Sequence, residues 1–377
     1  MKKNLILISL DTVRADVAYS AKFKAIETLR NKGVTFLNTI SSSPLTPISH
    51  ATVFTGLQPY HHGIRHLFKE QLNKGIVTLP QIISKRGWQT AAIVSCPGMN
   101  KWYGFSKGFS HYDDEIPRLA DGSDPLKTID VKKRGTALKR ANLVVEKAEK
   151  WLEHRKKEPF FLFLHFFDAH WPYEAPEKFG GDNTYEEEVA FTDHYLGIFL
   201  DSLKKKGLFD DSLIVCFSDH GEDLNGLYPN DKGGDLLGHP EEFGHGCLLY
   251  DQTQKVVLIV KDQSLTENKQ IDTQVRLVDI APTILTLLGE KYDSSQFDGT
   301  SLVGIANELE TKQLLAYSET FYPEEQNAAT NGKYPDAKNK TSYRINNREK
   351  LILTDDDKEY YDLNADPNEL NNLWLTQ

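Results

Sequence analysis

The chain has 377 residues, 39% of them hydrophobic and 26% charged, with a formal charge of −10, the composition of an ordinary globular protein long enough for one large α/β domain and an appendage. The negative balance argues against a nucleic-acid backbone or an anionic membrane surface as main partner, although a locally positive or metal-bearing site could still take an anionic substrate. Three widely separated cysteines, Cys96, Cys216 and Cys247, form no disulfide framework or cysteine metal motif, so the expected setting is reducing and cytoplasmic, with buried thiols.

The opening MKKNLILISLDT sets two lysines before an apolar run of about seven residues, short for a signal peptide and followed by no small-residue cleavage site. It predicts a buried strand over 5–10, followed by a helix over 21–32. In SSSPLTPISHATVFTG, residues 41–56, Pro47 suits the first position of a helix over 47–55, which makes Thr46 its N-cap. Further helices are expected over 79–86, 135–155, 185–206 and 279–288, and strands over 90–95, 160–167, 213–218 and 256–260. The most apolar run, FFLFLHFF at 160–167, is far too short to span a membrane. Alternation of this kind predicts a mostly parallel sheet covered by helices on both faces. From residue 312 the pattern changes to LLAYSET, a polar loop over 324–340, two amphipathic strands and a closing helix. We therefore expect a catalytic α/β domain over 1–311 and a small antiparallel α+β subdomain over 312–377 packed on it.

Ligands of open parallel sheets bind beyond the carboxyl ends of the strands, and three strands end in reactive groups: Asp11; Asp219 and His220 in SDHGED; Asp168 and His170 in DAHWPY. Converging, they could ligate a divalent metal or move protons. An Asp at a strand end is, taken alone, more often a cap or a turn former, and only the convergence of three strand ends points to a site. Thr46 can also combine two roles, because an N-cap hydroxyl lies at the positive end of its helix and a metal beside it would make it a nucleophile.

Six segments, in order, resemble the sulfatase branch of the alkaline phosphatase superfamily: NLILISLDTVRAD, TPISHATVFTGLQPYHHGI, TDHYLGIFLDSLKKKGLFDDSLIVCFSDHGE, FGHGCLLYDQTQKVVLIV, VDIAPTILTLLG and YYDLNADPNELNNL. The resemblance implies an alkaline phosphatase-like fold with Asp11, Thr46, Asp219 and His220 as metal ligands. It implies that His170 and His245 act on the anionic group beside Thr46, or hold a second metal together with Asp168 or His239. His50, Asp168 and His239 would complete the substrate contacts, while Arg14 and Asp16 would form a structural ion pair.

The departures from that family carry the chemistry. Sulfatases place an oxidisable cysteine or serine where this chain has Thr46, which cannot become formylglycine, and an arginine where it has His50. Thr12 replaces one carboxylate of the usual calcium site and His220 replaces an amide, so zinc or manganese is favoured over calcium. The set resembles threonine-nucleophile relatives, namely nucleotide pyrophosphatase-like phosphodiesterases and the phosphoglycerol and phosphoethanolamine transferases. The expectation is a metal-dependent hydrolase or transferase acting on a small phosphate or phosphonate ester through a covalent Thr46 intermediate. Two alternatives stay open: sulfuric-ester hydrolysis without formylglycine, and a binding homologue without activity. Loops over 100–125 and 226–243 would set specificity, the second as a lid or a plain surface loop. Trp102, Tyr103 and Phe105 would form a leaving-group pocket or simply core.

Overall fold

Apolar residues alternate along the first strand, β1 (Asn4–Leu10), so that Leu5 and Leu7 enter one core and Ile6 and Ile8 another. A strand apolar on both sides must be covered on both faces. In the computed structural model, which describes residues 3–118, 121–124, 127, 138–156, 159–182, 184–224, 239, 242, 244–329 and 338–376, β1 lies inside an eight-stranded sheet. The remaining strands of that sheet are β2 (Val34–Phe36), β4 (Gln89–Ile93), β5 (His111–Asp113), β6 (Phe160–Phe166), β7 (Ser212–Phe217), β9 (Leu258–Lys261) and β10 (Lys269–Ile271). Their spatial order is β10-β2-β9-β7-β1-β6-β4-β5. The five strands from β7 to β5 are mutually parallel, with β1 between β6 and β7, and β9 runs antiparallel to β7.

One face of the sheet is covered by α2 (Thr46–Thr55) and α6 (Ile280–Leu287) and the other by α1 (Lys24–Asn31), α4 (Ala141–His154) and α5 (Tyr185–Lys205). A further helix, α3 (Leu79–Lys85), begins with a capping box between Thr78 and Gln81. The result is the α/β architecture expected, with β3 (Thr39–Ile40), β8 (Lys255–Val256) and β11 (Val275–Arg276) forming a separate three-stranded sheet. The run expected as one strand over 256–260 is thus two, because its first part pairs with β3 and only its second joins the main sheet.

Four antiparallel strands end the chain: β12 (Leu315–Thr320), β13 (Lys340–Ile345), β14 (Glu349–Leu353) and β15 (Lys358–Asp362). The expected closing helix is only a 3-10 turn, Leu373–Thr376, and α7 (Tyr322–Ala329) occupies the start of what reads as a polar loop. This sheet is tied to the start of α2: Ser318 Oγ donates to the Ser41 carbonyl and Glu319 N–H to that of Ser42. Among the described residues no helix is long and apolar enough to cross a membrane.

Candidate metal centre and nucleophile

The carboxyl ends of β1, β7, β6 and β4 meet at one edge, and their loops bring together residues distant in sequence. Asp11 directly follows β1, and Asp219 and His220 follow β7. Ligand atoms of Asp11, Asp219 and His220 lie within 4.8 Å of one another. Each has a distinct anchor. Asp219 Oδ1 accepts from the backbone N–H groups of Thr12 (3.1 Å) and His220 (2.9 Å). The first of these requires Thr12 to adopt a φ of 59°, a left-handed conformation that costs a β-branched residue energy and clusters at functional sites. The Asp219 carbonyl accepts from two serines of the hydroxyl-rich stretch, Ser41 at 2.5 Å and Ser49 at 2.7 Å.

His220 Nδ1 lies 3.0 Å from the Gly221 carbonyl, which can only accept. The proton therefore sits on Nδ1, and Nε2 presents a lone pair. Thr46 Oγ1 lies 3.2 Å from that Nε2, so the hydroxyl donates to it. Thr46 is not the N-cap of its helix. It is the first residue of α2, Leu45 holds the cap position, and no side chain caps the helix. Thr46 keeps 7% of its surface exposed, against 1% for Asp11 and 0% for Asp219 and His220, so within this group it is the one open to an incoming molecule.

The donor set fits a divalent cation. Asp11 Oδ1 and Asp219 Oδ2 are buried and, among the described residues, have no hydrogen-bond partner. Burial pushes both carboxyls above the usual range, and the neighbouring Asp11 raises Asp219 further, while His220 and His170 partly offset the effect on Asp11. Two dry, like-charged carboxylates beside an imidazole lone pair are stable only if neutralised. Thr12, at the position of the missing carboxylate, does not add to the set, because its hydroxyl donates to the Asp11 carbonyl.

His165, in the middle of β6, is the partner that sequence reasoning missed. Its Nδ1 accepts from the Ser95 N–H at 3.3 Å, so its Nε2–H donates to Asp11 Oδ2 at 3.0 Å. Burial drives its pKa down to about 4, and it orients a prospective ligand as outer partners of metal sites do. The signal was present as a lone histidine in FFLFLHFF. Cys96 also approaches Asp11 and His165, with ligand atoms within 4.8 Å, and burial raises its thiol well above the ordinary value.

The other expected site residues divide. His245 stands beside His220, with ring centroids 4.2 Å apart, and His170 is 4.9 Å from His245. His170 stacks on Phe167 at 4.2 Å and its Nδ1 is held by the Trp171 carbonyl at 2.6 Å. Burial depresses both imidazoles, His245 strongly, and the adjacent histidines add to that. His50 is a correction: it is a fully buried residue of α2 that points into the interior, not toward a substrate. Its Nδ1–H donates to the Thr46 carbonyl at 2.7 Å, its Nε2 accepts from Ser9 at 2.8 Å, and burial holds its pKa near 3. Asp168 is another, since Arg140 binds it at 2.7 Å and the Ala141 N–H at the start of α4 donates to it at 3.1 Å. His239 stacks on Tyr250 at 3.9 Å and contacts the Glu369 carbonyl at 3.0 Å. Asp168 Oδ2 is buried and, among the described residues, has no hydrogen-bond partner.

Arg14 pairs with Asp16 at 2.8 Å. Tyr103 and Phe105 are core, whereas Trp102 is 41% exposed. Apart from His239 and Glu242, nearly all of the 226–243 insert expected as a lid or surface loop lies outside the described residues.

The family model described as Sulfatase matches residues 3–290. A protein named "Sulfatase" from Formosa agariphila is 24% identical across 100% of this chain and 83% of its own length. Arylsulfatase K of Rattus norvegicus is 21% identical over 76% of this chain and 60% of its own length. Among solved structures, one described in complex with its substrate D-glucosamine-2-N,6-O-disulfate superposes with a TM-score of 0.75 at 18% identity, covering 99% of this chain and 94% of the other. The phosphonate monoester hydrolase of Agrobacterium radiobacter superposes at 0.74, also at 18% identity, covering 99% and 92%.

Proposed function

We propose that this chain, which belongs to the sulfatase family, is a metal-dependent hydrolase or transferase that acts on a phosphate or phosphonate ester through Thr46. The carrying observation is the Thr46 hydroxyl 3.2 Å from His220 Nε2, at the open side of the Asp11–Asp219–His220 cluster. Where relatives of this family need an oxidised cysteine or serine, a threonine can only supply an alcohol. Phosphonate monoester hydrolases among the structural neighbours make a phosphorus substrate compatible with this fold.

Asp11, Asp219, His220 and Thr46 would hold one divalent ion, with zinc or manganese favoured over calcium because one ligand is an imidazole. When bound, that ion lowers the proton affinity of the threonine hydroxyl and neutralises charge on the transferring group. Thr46 Oγ1 would form the new bond to phosphorus as the ester oxygen leaves and takes its proton from solvent, while the bare Nε2 of His170 or His245, whose Nδ1 protons are engaged, would accept the proton of the incoming water or acceptor hydroxyl. Water then cleaves the phosphothreonine, or an acceptor hydroxyl takes the phosphoryl group. Hydrolysis thus consumes one water and releases the alcohol and the phosphate or phosphonate.

A second reading, sulfuric-ester hydrolysis without formylglycine, rests on the sulfatase names of the sequence relatives. Aryl phosphate, phosphodiester, phosphonate and sulfate substrates, each assayed with zinc, manganese or calcium, separate the two. The phosphorus reading predicts phosphate or phosphonate turnover far above sulfate, with zinc or manganese best. Thr46→Ala should abolish turnover while circular dichroism and melting stay unchanged. Appreciable activity in that variant defeats the nucleophile assignment.

A further inference from the structure

Glu222 is completely buried two residues beyond His220, and the proposed reaction leaves it without a task. Among the described residues, one of its oxygens, Oε2, has no hydrogen-bond partner. The other, Oε1, lies 3.2 Å from Nδ1 of His245. A carboxyl placed out of water with a single polar contact among the described residues does little for stability, since its desolvation cost is not offset. Its position is nevertheless firmly specified. The neighbouring backbone forms a reciprocal bridge, Asp223 N–H to the Gly244 carbonyl at 2.6 Å and Gly244 N–H to the Asp223 carbonyl at 2.9 Å. Gly244 has a φ of +90°, and a Cβ there would come within 3.0 Å of Glu222 Oε1. The chain is thus shaped to let this one oxygen reach the imidazole.

From this geometry we infer that Glu222 is the positioning residue of His245: Oε1 accepts the Nδ1–H, fixing the ring's orientation and tautomer so that Nε2 is the bare nitrogen at the centre. The inference rests on the proposed function only in taking His245 to act on the ester. Outer partners that orient a ring in this way are worth roughly 10–100-fold when removed, and a histidine held in the wrong tautomer loses more.

Three variants dissect the role. Glu222→Gln keeps the side-chain length and a carbonyl oxygen at Oε1. Glu222→Asp keeps the charge but withdraws the oxygen by one methylene. Glu222→Ala removes both. Positioning predicts that Gln keeps kcat within about threefold of the parent, while Asp and Ala lose roughly 10–100-fold in kcat with KM changed less than about threefold, on whichever ester the enzyme turns over. Metal content and melting temperature are recorded for every variant. An Asp variant as active as the parent, or losses explained wholly by lost metal or lost fold, overturns the inference. Nitrogen-15 NMR of the His245 ring decides it without any substrate. The parent should show a protonated Nδ1 and a bare Nε2, and the Asp and Ala variants a mixture of tautomers. A tautomer unchanged in both, or a parent protonated at Nε2, refutes the role even if no ester is ever found, whereas failure of Thr46→Ala to abolish turnover touches only the nucleophile.

Discussion

At the scale of single residues, the candidate centre is a set of side chains whose free atoms are chosen by their neighbours. Asp11 offers Oδ1 because His165 occupies Oδ2, and Asp219 offers Oδ2 because two backbone N–H groups occupy Oδ1. Removing His165 should therefore act through Asp11. His165→Ala is expected to lower affinity for the metal by roughly 10–100-fold, as loss of outer-shell partners does, while Thr46 itself is untouched. Competition of the purified variant against a metal indicator measures it; parent-like affinity would make His165 a packing residue only. Asp11, Asp219, His220 and Thr46 were legible from the sequence because each ends a strand or begins a helix in a recognisable motif. The contacts of Asp168 with Arg140 and of His239 with Tyr250 were not legible, because those partners lie outside the motifs.

At the scale of elements, α2 carries the nucleophile and its C-terminal end sets how the helix sits. Gly56 ends it in the left-handed region at a φ of +64°, and a Cβ there would approach Phe297 Cδ1 to 2.5 Å. The Gly56 carbonyl also accepts from the N–H groups of Asp298 and Gly299. Gly56→Ala combines an unfavourable φ with a clash and is expected to cost on the order of 1–3 kcal/mol. Urea unfolding measures this, and a variant as stable as the parent would show that Phe297 yields freely. The helix itself was legible from Pro47, but its first residue was not. A proline is accepted at either of the first two helical positions, and only the packing of Leu45 and Thr46 decides between them. Short strands such as β2 and β3 escaped notice for a related reason: two or three residues carry no periodicity.

At the scale of the whole molecule, burial keeps several imidazoles neutral. His50 and His62 are held near pKa 3 and His165 near 4, each chiefly by burial. His62 lies within α2's surroundings, accepting from the Ile64 N–H at Nδ1 and donating to Thr52 Oγ1 from Nε2. Its folded pKa lies below the ordinary 6.5, so the unfolded chain binds the proton more readily. The stability it contributes is complete above pH 6.5 and is lost as pH falls from there toward 3. Each such group contributes a slope of about 1.4 kcal/mol per pH unit in that window. Replacing His62 by Gln should remove one of these slopes, so the stability gap between parent and variant narrows as pH is lowered from 6.5 to 4.5. Chemical denaturation across that range checks it, and a constant gap would contradict the burial argument.

The sequence by itself determined the alternation of strands and helices, the α/β class and the motifs from which a threonine-based variant of the family could be read. These depend on local periodicity and on residue types at strand ends. Only the tertiary structure decided which groups meet. His165 joins Asp11, Ser41 and Ser49 hold the Asp219 carbonyl, His50 points from α2 into the interior, and Thr46 alone of its cluster keeps an exposed surface. Each of those outcomes depends on contacts between segments far apart in the chain, and burial sets which donors and acceptors remain unpaired. In this protein, the unpaired ones are the candidate chemistry.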